Sequence, residues 1–201
     1  MTHFSSLMAA VCALLLVLSC RQAPRQIDIQ GKEISSVTSS RIWTTDSLFV
    51  DVQEDSIDKI FYLVRHAEKD TANQVEPGLT EKGLARAAKL ADILRGTRVD
   101  AIYSTLTMRA MLTVDSLADI KAMTILPYEN KGLREMITAV DASPTFNRIV
   151  IVGHSNTIPS ITNTLAGRDV FTKTFEENEY DHFIIIVKKK KGPADVYDLR
   201  Y

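Results

Sequence analysis

The sequence predicts a three-layer α/β/α sandwich around a mostly parallel central sheet, and three observations carry that expectation. From about Arg41 onward, short β-branched runs alternate with amphipathic stretches. The runs Ile149-Val150-Ile151-Val152 and Phe183-Ile184-Ile185-Ile186-Val187 are apolar without a break, as strands covered on both faces by helices require. Between such runs, Leu84, Ala87, Ala88, Ala91 and Leu94 recur at helical spacing.

Taken in order, Trp43 with Leu48, Phe49 and Val50 begins the body as an early strand or packing segment, and the first sheet strand is expected over Ile60 to Val64. Thr80 followed by Glu81 has the chemistry of an N-cap and an acidic first turn, so the first helix starts there. A strand over Ala101 to Ser104, a helix over Thr107 to Leu117, and a strand over Met123 to Leu126 follow. The pattern then predicts a helix around Leu133 to Ala142, a strand over Arg148 to Val152, a helix over Ile158 to Leu165 and a strand over Phe183 to Val187. The last stretch, FIIIVKKKKGPADVYDLRY, reads as two strands joined by a Lys-Gly-Pro turn, with Lys188 to Lys191 as a solvated edge.

Composition bounds what this body can be. The 201 residues are 45% hydrophobic and 24% charged, which excludes a disordered chain and suffices for one domain with a full core. Lys and Arg number 24 against 25 Asp and Glu, so no surplus of positive charge points to a nucleic-acid partner, and any anion site must be local. The two cysteines, Cys12 and Cys20, both lie at the start, leaving the body without a disulfide or a cysteine metal site. Leu7 to Leu18 is apolar and uncharged but shorter than the roughly 20 residues of a spanning helix, and reads as the core of a signal peptide. It runs into Val17-Leu18-Ser19-Cys20, which resembles a bacterial lipoprotein signal with Cys20 as the lipidated residue. The expected organisation is therefore a signal over residues 1–20, a polar tether over 21–40 and the α/β domain over 41–201. That organisation places the domain in the bacterial cell envelope, with the lipid anchor as its only membrane contact.

In open α/β sheets, ligands sit beyond the carboxyl ends of the strands. Three such ends carry chemistry: Arg65-His66-Ala67-Glu68-Lys69 follows the first run, Ser104-Thr105 and a helix bearing Arg109 follow the second, and Gly153-His154-Ser155-Asn156 follows Val152. Two histidines and two arginines thus face one rim. Guanidinium forks bind the equatorial oxygens of a phosphoryl group in two-toothed geometry, and a neutral imidazole is a competent nucleophile at neutral pH. Nearby Arg charges lower its proton affinity and keep the attacking nitrogen free.

These motifs, in this order, make the chain resemble the histidine phosphatase superfamily, also called the phosphoglycerate-mutase-like family. The resemblance rests on Leu63-Val64-Arg65-His66-Ala67-Glu68-Lys69, on Tyr103-Ser104-Thr105 with Met108-Arg109-Ala110, and on Val152-Gly153-His154-Ser155-Asn156-Thr157. Leu79-Thr80-Glu81-Lys82-Gly83 also looks like the family's segment after the first motif, so the likeness spans about Ile60 to Leu165. It implies that His66 becomes phosphohistidine while Arg65, Arg109 and His154 hold the phosphoryl group, with Asn156 and Ser155 supporting the pocket. It implies no cofactor and no metal, and as partner a small-molecule or saccharide phosphate ester.

The leaving alkoxide needs a proton, and the family supplies a carboxylic acid after the strand that follows the second Arg. Glu129, which with Pro127-Tyr128 ends the strand Met123-Thr124-Ile125-Leu126, and Glu135, in Leu133-Arg134-Glu135-Met136, are the two candidates. Glu68 is a third, though it can instead pair Lys69 or orient the His. Other readings are a phosphate-binding lipoprotein without activity, a phosphatase of phosphohistidine in proteins, and a serine esterase built on Gly153-His154-Ser155. The last lacks the closing glycine of Gly-x-Ser-x-Gly and leaves both arginines without a role. His182, at the start of the last apolar run, is expected to make a structural hydrogen bond.

Overall fold

The computed structural model describes residues 27–52, 54–72 and 75–201. The expected signal segment with Cys20, and residues 21–26 of the expected tether, lie outside them. No helix among the described residues is long and apolar enough to cross a membrane.

A small antiparallel sheet comes first, made of β1 (Ile34–Val37), β2 (Arg41–Thr44) and β3 (Phe49–Asp51) in that order. The main sheet has the strands β4 (Ile57–Arg65), β5 (Ala101–Thr105), β6 (Ile125–Tyr128), β7 (Arg148–Gly153), β8 (His182–Lys189) and β9 (Asp195–Arg200). Its helices are α1 (Glu81–Leu94), α2 (Met108–Lys121), α3 (Leu133–Ala142) and α4 (Thr157–Ala166). The strand order is β6-β5-β7-β4-β8-β9. The first four run parallel, while β8 pairs antiparallel with both β4 and β9. The sheet is therefore mixed, since a connection as short as that around Gly192 can join only antiparallel neighbours.

The apolar runs form interior strands because successive side chains feed two different cores. On one face Ile60, Tyr62, Val64, Val150, Val152, Phe183 and Ile185 pack against α1, α2 and the small sheet. On the other, Phe61, Leu63, Ile149, Ile151, Ile184 and Ile186 pack against α3 and α4. Burying each such side chain contributes about 1.5–3 kcal/mol, and this two-sided burial holds the central strands rigid beneath the loops.

Three expectations need correction. The tether does not extend to residue 40: Ile29, Ile34 and Val37 are buried in the first core and β1 lies within that range, so an apolar residue every few positions among Ser and Thr sufficed to build a strand. Lys188 to Lys191 is not an edge, because β8 lies between β4 and β9. There Lys188 pairs with Asp141 and Lys189 with Asp195, leaving Lys190 and Lys191 in the turn. The boundary of β6 also moves, from Met123–Leu126 to Ile125–Tyr128. Ala122 ends α2 in the left-handed region at φ 52°, and Met123 N–H still bonds the Ala118 carbonyl, so the chain has not yet left the helix cap.

Two glycines bring elements unusually close to the future site. A Cβ at Gly83 would lie 2.5 Å from the Glu68 carbonyl oxygen, so only glycine lets α1 rest on the loop after β4. A Cβ at Gly153 would lie 2.6 Å from Thr157 Oγ1 and 3.0 Å from the Tyr128 hydroxyl.

Candidate active site

The order β5-β7-β4 juxtaposes strands that are far apart in sequence and places their carboxyl ends side by side. His66 leaves the end of β4 with its backbone N–H donated to the Gly153 carbonyl at 2.9 Å, which ties the first motif to the last. The next residue is held as well, because Ala67 N–H donates to Thr113 Oγ1 on α2 at 2.9 Å. Thr80 caps α1 and also receives the chain, its N–H donating to the Glu68 carbonyl at 2.9 Å.

The imidazole of His66 is buried, and its Nδ1 lies 2.8 Å from the Ala67 carbonyl oxygen. A carbonyl can only accept, so Nδ1 carries the proton and Nε2 keeps its lone pair. His154 faces it with ring centroids 5.2 Å apart. The Nε2 of His154 lies 2.9 Å from Thr105 Oγ1, and its backbone N–H donates to Thr157 Oγ1 at 2.8 Å.

Arg65 is almost wholly buried, with 1% of its surface exposed, which is tolerable only because its fork is occupied. One terminal nitrogen donates to the carbonyls of Glu176 at 2.6 Å and Glu179 at 3.1 Å, and the guanidinium lies over the Tyr180 ring at 4.1 Å. Its Nε–H finds no partner among the described residues, and neither does the buried Nε–H of Arg109 on the first turn of α2. Two buried donors of positive charge beside two imidazoles are chemically suited to an anion with several oxygens.

These surroundings set the charge of both histidines. Burial, reinforced by His154, Arg109 and Arg65, drives His66 down to about 3 despite the opposing Ala67 hydrogen bond. Burial together with Arg109, Arg65 and Lys69 lowers His154 to about 4. Both rings are therefore neutral at pH 7 in the free site, and a phosphoryl dianion would restore proton affinity to His154. The same shifts link stability to pH. The unfolded chain takes up protons near the ordinary value of 6.5 while the folded rings refuse them, so stability is full above that value and falls as pH drops toward the folded values. Thermal unfolding from pH 7.5 to 4.5 should show His66→Ala gaining on the native chain by about 2 kcal/mol. A constant difference between the two would show that His66 does not resist protonation.

The sequence candidates divide clearly. Arg65, His66, Arg109 and His154 come together at the carboxyl rim of the sheet, the two rings 5.2 Å apart and both arginine charges acting on both of them. Glu68 turns away from the site: Arg86 grips both carboxylate oxygens at 2.9 and 2.8 Å and Lys82 adds a contact at 3.3 Å. Burial is the largest single influence and acts to raise its pKa, but the hydrogen bonds and charge of Arg86, a backbone bond and Lys82 together outweigh it and hold it at about 2, so Glu68 has no proton to give. Glu129 follows the carboxyl end of β6 and is exposed, while Glu135 is exposed in the first turn of α3, beside a groove lined by Ser160 and Thr164 of α4. Neither carboxylate forms an ion pair among the described residues. Asn156 is exposed at the N-cap of α4 and makes no side-chain cap bond, so the supporting role expected of it falls to Thr157. His154 Nε2 hydrogen-bonds the Thr105 hydroxyl, and no bond joins the Ser155 hydroxyl to a histidine among the described residues, which argues against the serine esterase. His182 bonds Asp198 at 2.8 Å and stacks on Phe175, a structural arrangement. No group of three or more metal-binding side chains occurs among the described residues.

Other residues at the site carry no role that the sequence motifs announce. Lys69 belongs to the first motif, but its partner Glu177, at 3.3 Å, lies 108 positions away. Tyr180, 5.8 Å from the His66 ring, sits in a segment without regular structure that carries no periodic signal.

Comparisons with known proteins agree with this geometry. Residues 61–138 match the model of the histidine phosphatase superfamily (branch 1). No curated protein matches the sequence. Among solved structures, the α-ribazole phosphatase of Shigella flexneri superimposes with a TM-score of 0.57 at 14% identity, covering 71% of this chain and 96% of that one. A protein of Agrobacterium tumefaciens assigned by name as the phosphohistidine phosphatase SixA gives 0.54 at 20% identity, covering 69% and 97%. A mycobacterial glucosyl-3-phosphoglycerate phosphatase gives 0.53 at 13% identity, covering 70% and 99%. At these identities the likeness is one of fold.

Proposed function

We propose that the chain, whose residues 61–138 match the model of the histidine phosphatase superfamily and whose fold is like that of the solved phosphatases, belongs to that superfamily and hydrolyses a phosphomonoester through phosphohistidine at His66. The observation that carries the reading is the Nδ1–H bond to the Ala67 carbonyl, which leaves Nε2 unprotonated near two arginines whose buried Nε–H groups have no partner among the described residues. Nε2 attacks phosphorus, and the ester P–O bond breaks with its electron pair leaving on oxygen, which takes a proton from a carboxylic acid. Water then attacks the phosphohistidine, the P–N electron pair returns to Nε2, and the carboxylate takes the water proton. Arg65, Arg109 and His154 hold the equatorial oxygens throughout, where charge is spread in the transition state. None of these steps calls on a metal.

Glu129 is the acid this reading favours, because it follows the end of β6, the strand paired with β5, at the same rim as the other groups. Glu129→Gln should lose about a hundredfold in kcat on an alkyl phosphate and much less on an aryl phosphate, whose leaving group needs no proton. Equal losses would transfer the role to Glu135. Lipidation at Cys20 would place the site at an envelope membrane surface, testable by incorporation of labelled lipid that Cys20→Ser abolishes. The reading as a whole is tested by turnover of an aryl phosphate in the presence of a chelator, with rapid quenching in alkali. Label retained on the protein in alkali and lost in acid is the expected result, and folded protein without turnover or label would leave only phosphate binding.

A further inference from the structure

A stretch that carries none of the three motifs reaches the site from far downstream. The acidic turn Glu176-Glu177-Asn178-Glu179 is closed on itself, with Glu179 N–H donated to the Glu176 carbonyl at 3.1 Å and Glu176 N–H to a Glu179 carboxylate oxygen at 2.7 Å. Arg65 holds both ends of the turn through the Glu176 and Glu179 carbonyls. Directly after the clamped Glu179 comes Tyr180, and the residue beyond it is pinned as well, because the Asp181 carbonyl accepts the Tyr201 N–H at 3.0 Å. A half-buried tyrosine is thus fixed on both sides along the backbone.

Its ring has two neighbours in the site. The guanidinium carbon of Arg65 lies 4.1 Å from the ring centre, and the His66 ring lies 5.8 Å away at an interplanar angle of 58°. Both separations fall where an aromatic ring attracts a cation and packs against another ring. Hydrogen bonds alone fix neither neighbour. The two carbonyls take their protons from one terminal nitrogen of Arg65, which locates that end of the fork and leaves the plane able to rock about it. The 3.4 Å contact to the exposed Glu177 is too long and too wet to add much. The His66 ring is held by the single bond from Nδ1 to the Ala67 carbonyl, about which it can turn. A face against the guanidinium and a ring beside the imidazole limit both motions together.

We propose that Tyr180 is a positioning residue for phosphoryl transfer: its ring, and not its hydroxyl, keeps the Arg65 guanidinium and the His66 imidazole in one relative orientation, so that Arg65 Nε–H and His66 Nε2 address the same phosphoryl group. The proposal rests on the phosphatase reading. The two groups must act on one phosphorus centre most stringently in the transition state, so an error in their mutual orientation falls on kcat more than on the binding of the ester.

The full chain, Tyr180→Leu and Tyr180→Phe are compared on an aryl phosphate, with the folded fraction read from melting curves and with orthovanadate and inorganic phosphate as inhibitors. Tyr180→Leu should lower kcat per folded molecule about thirtyfold while KM moves by less than about threefold. It should weaken orthovanadate, which adopts the five-coordinate geometry of the transition state, by about the same thirtyfold and inorganic phosphate by less than about threefold. Tyr180→Phe keeps the aromatic face and should stay within about twofold of the native chain on every measure. If Tyr180→Leu does not fold, Tyr180→Met, of similar reach without a π face, takes its place with the same expectation. Native kcat in Tyr180→Leu, equal weakening of the two inhibitors, or a loss in Tyr180→Phe as large as in Tyr180→Leu overturns the proposal while the phosphatase reading stands. A folded native chain that does not turn over the ester removes both.

Discussion

Replacing His66 by alanine is expected to lower kcat on an aryl phosphate by at least about 10,000-fold, because the variant removes the nucleophile and not merely an orienting group. The expectation follows from the single assignment that the Ala67 carbonyl makes for the ring: Nδ1 donates, so Nε2 attacks. Loss of the ring should not unfold the chain. The backbone N–H of residue 66 still reaches the Gly153 carbonyl, and Ala67 N–H still reaches Thr113. The buried neutral imidazole is moreover a liability at acid pH. Steady-state kinetics, alkali-quenched labelling and a melting curve on one preparation check the prediction together. A folded variant that still forms a labelled protein would place the nucleophile at His154, whose Nε2 bond to Thr105 would then have to break on substrate binding.

The range of each interaction decides how far the amino-acid order alone discloses it. The interior strands are legible because Ile149 to Val152 and Phe183 to Val187 are apolar at every position, a pattern only a two-faced strand needs. Thr80 announces the start of α1 through its capping chemistry, and it does accept the Gly83 N–H. Arg65, His66, Arg109 and His154 are legible because each ends or directly follows a strand, or opens a helix, at the carboxyl rim. β1 escapes notice because Ile34-Ser35-Ser36-Val37 sits in a Ser/Thr-rich stretch where polarity outvotes two apolar residues. The supporting hydroxyls are ambiguous for a similar reason. Asn156 and Thr157 are both able to cap, and only the close approach at Gly153 decides that Thr157 Oγ1 reaches His154. The acidic turn is invisible in the sequence, since its link to Arg65 spans 111 positions through backbone carbonyls that carry no residue signature.

That link makes the second large effect. Arg65→Lys keeps the charge but should reduce kcat/KM about 1,000-fold, against about 100-fold for Arg109→Lys. Arg109 makes no side-chain bond among the described residues, so lysine there loses only the fork that meets the phosphoryl oxygens. On the proposed reading Arg65 serves the phosphoryl group through its Nε–H, which has no partner among the described residues, while one terminal nitrogen holds the Glu176 and Glu179 carbonyls and its plane covers Tyr180. A single ammonium cannot satisfy all of these at once, and one that follows the carbonyls abandons the substrate. A buried charge left short of partners also costs stability, so Arg65→Lys should lower Tm by several degrees while Arg109→Lys barely moves it. Limited proteolysis should cut between residues 170 and 181 faster in the first variant than in the second. Equal melting temperatures with equal cleavage would mean that the acidic turn holds itself, through its Glu176–Glu179 bonds, and that Arg65 acts on the phosphoryl group alone.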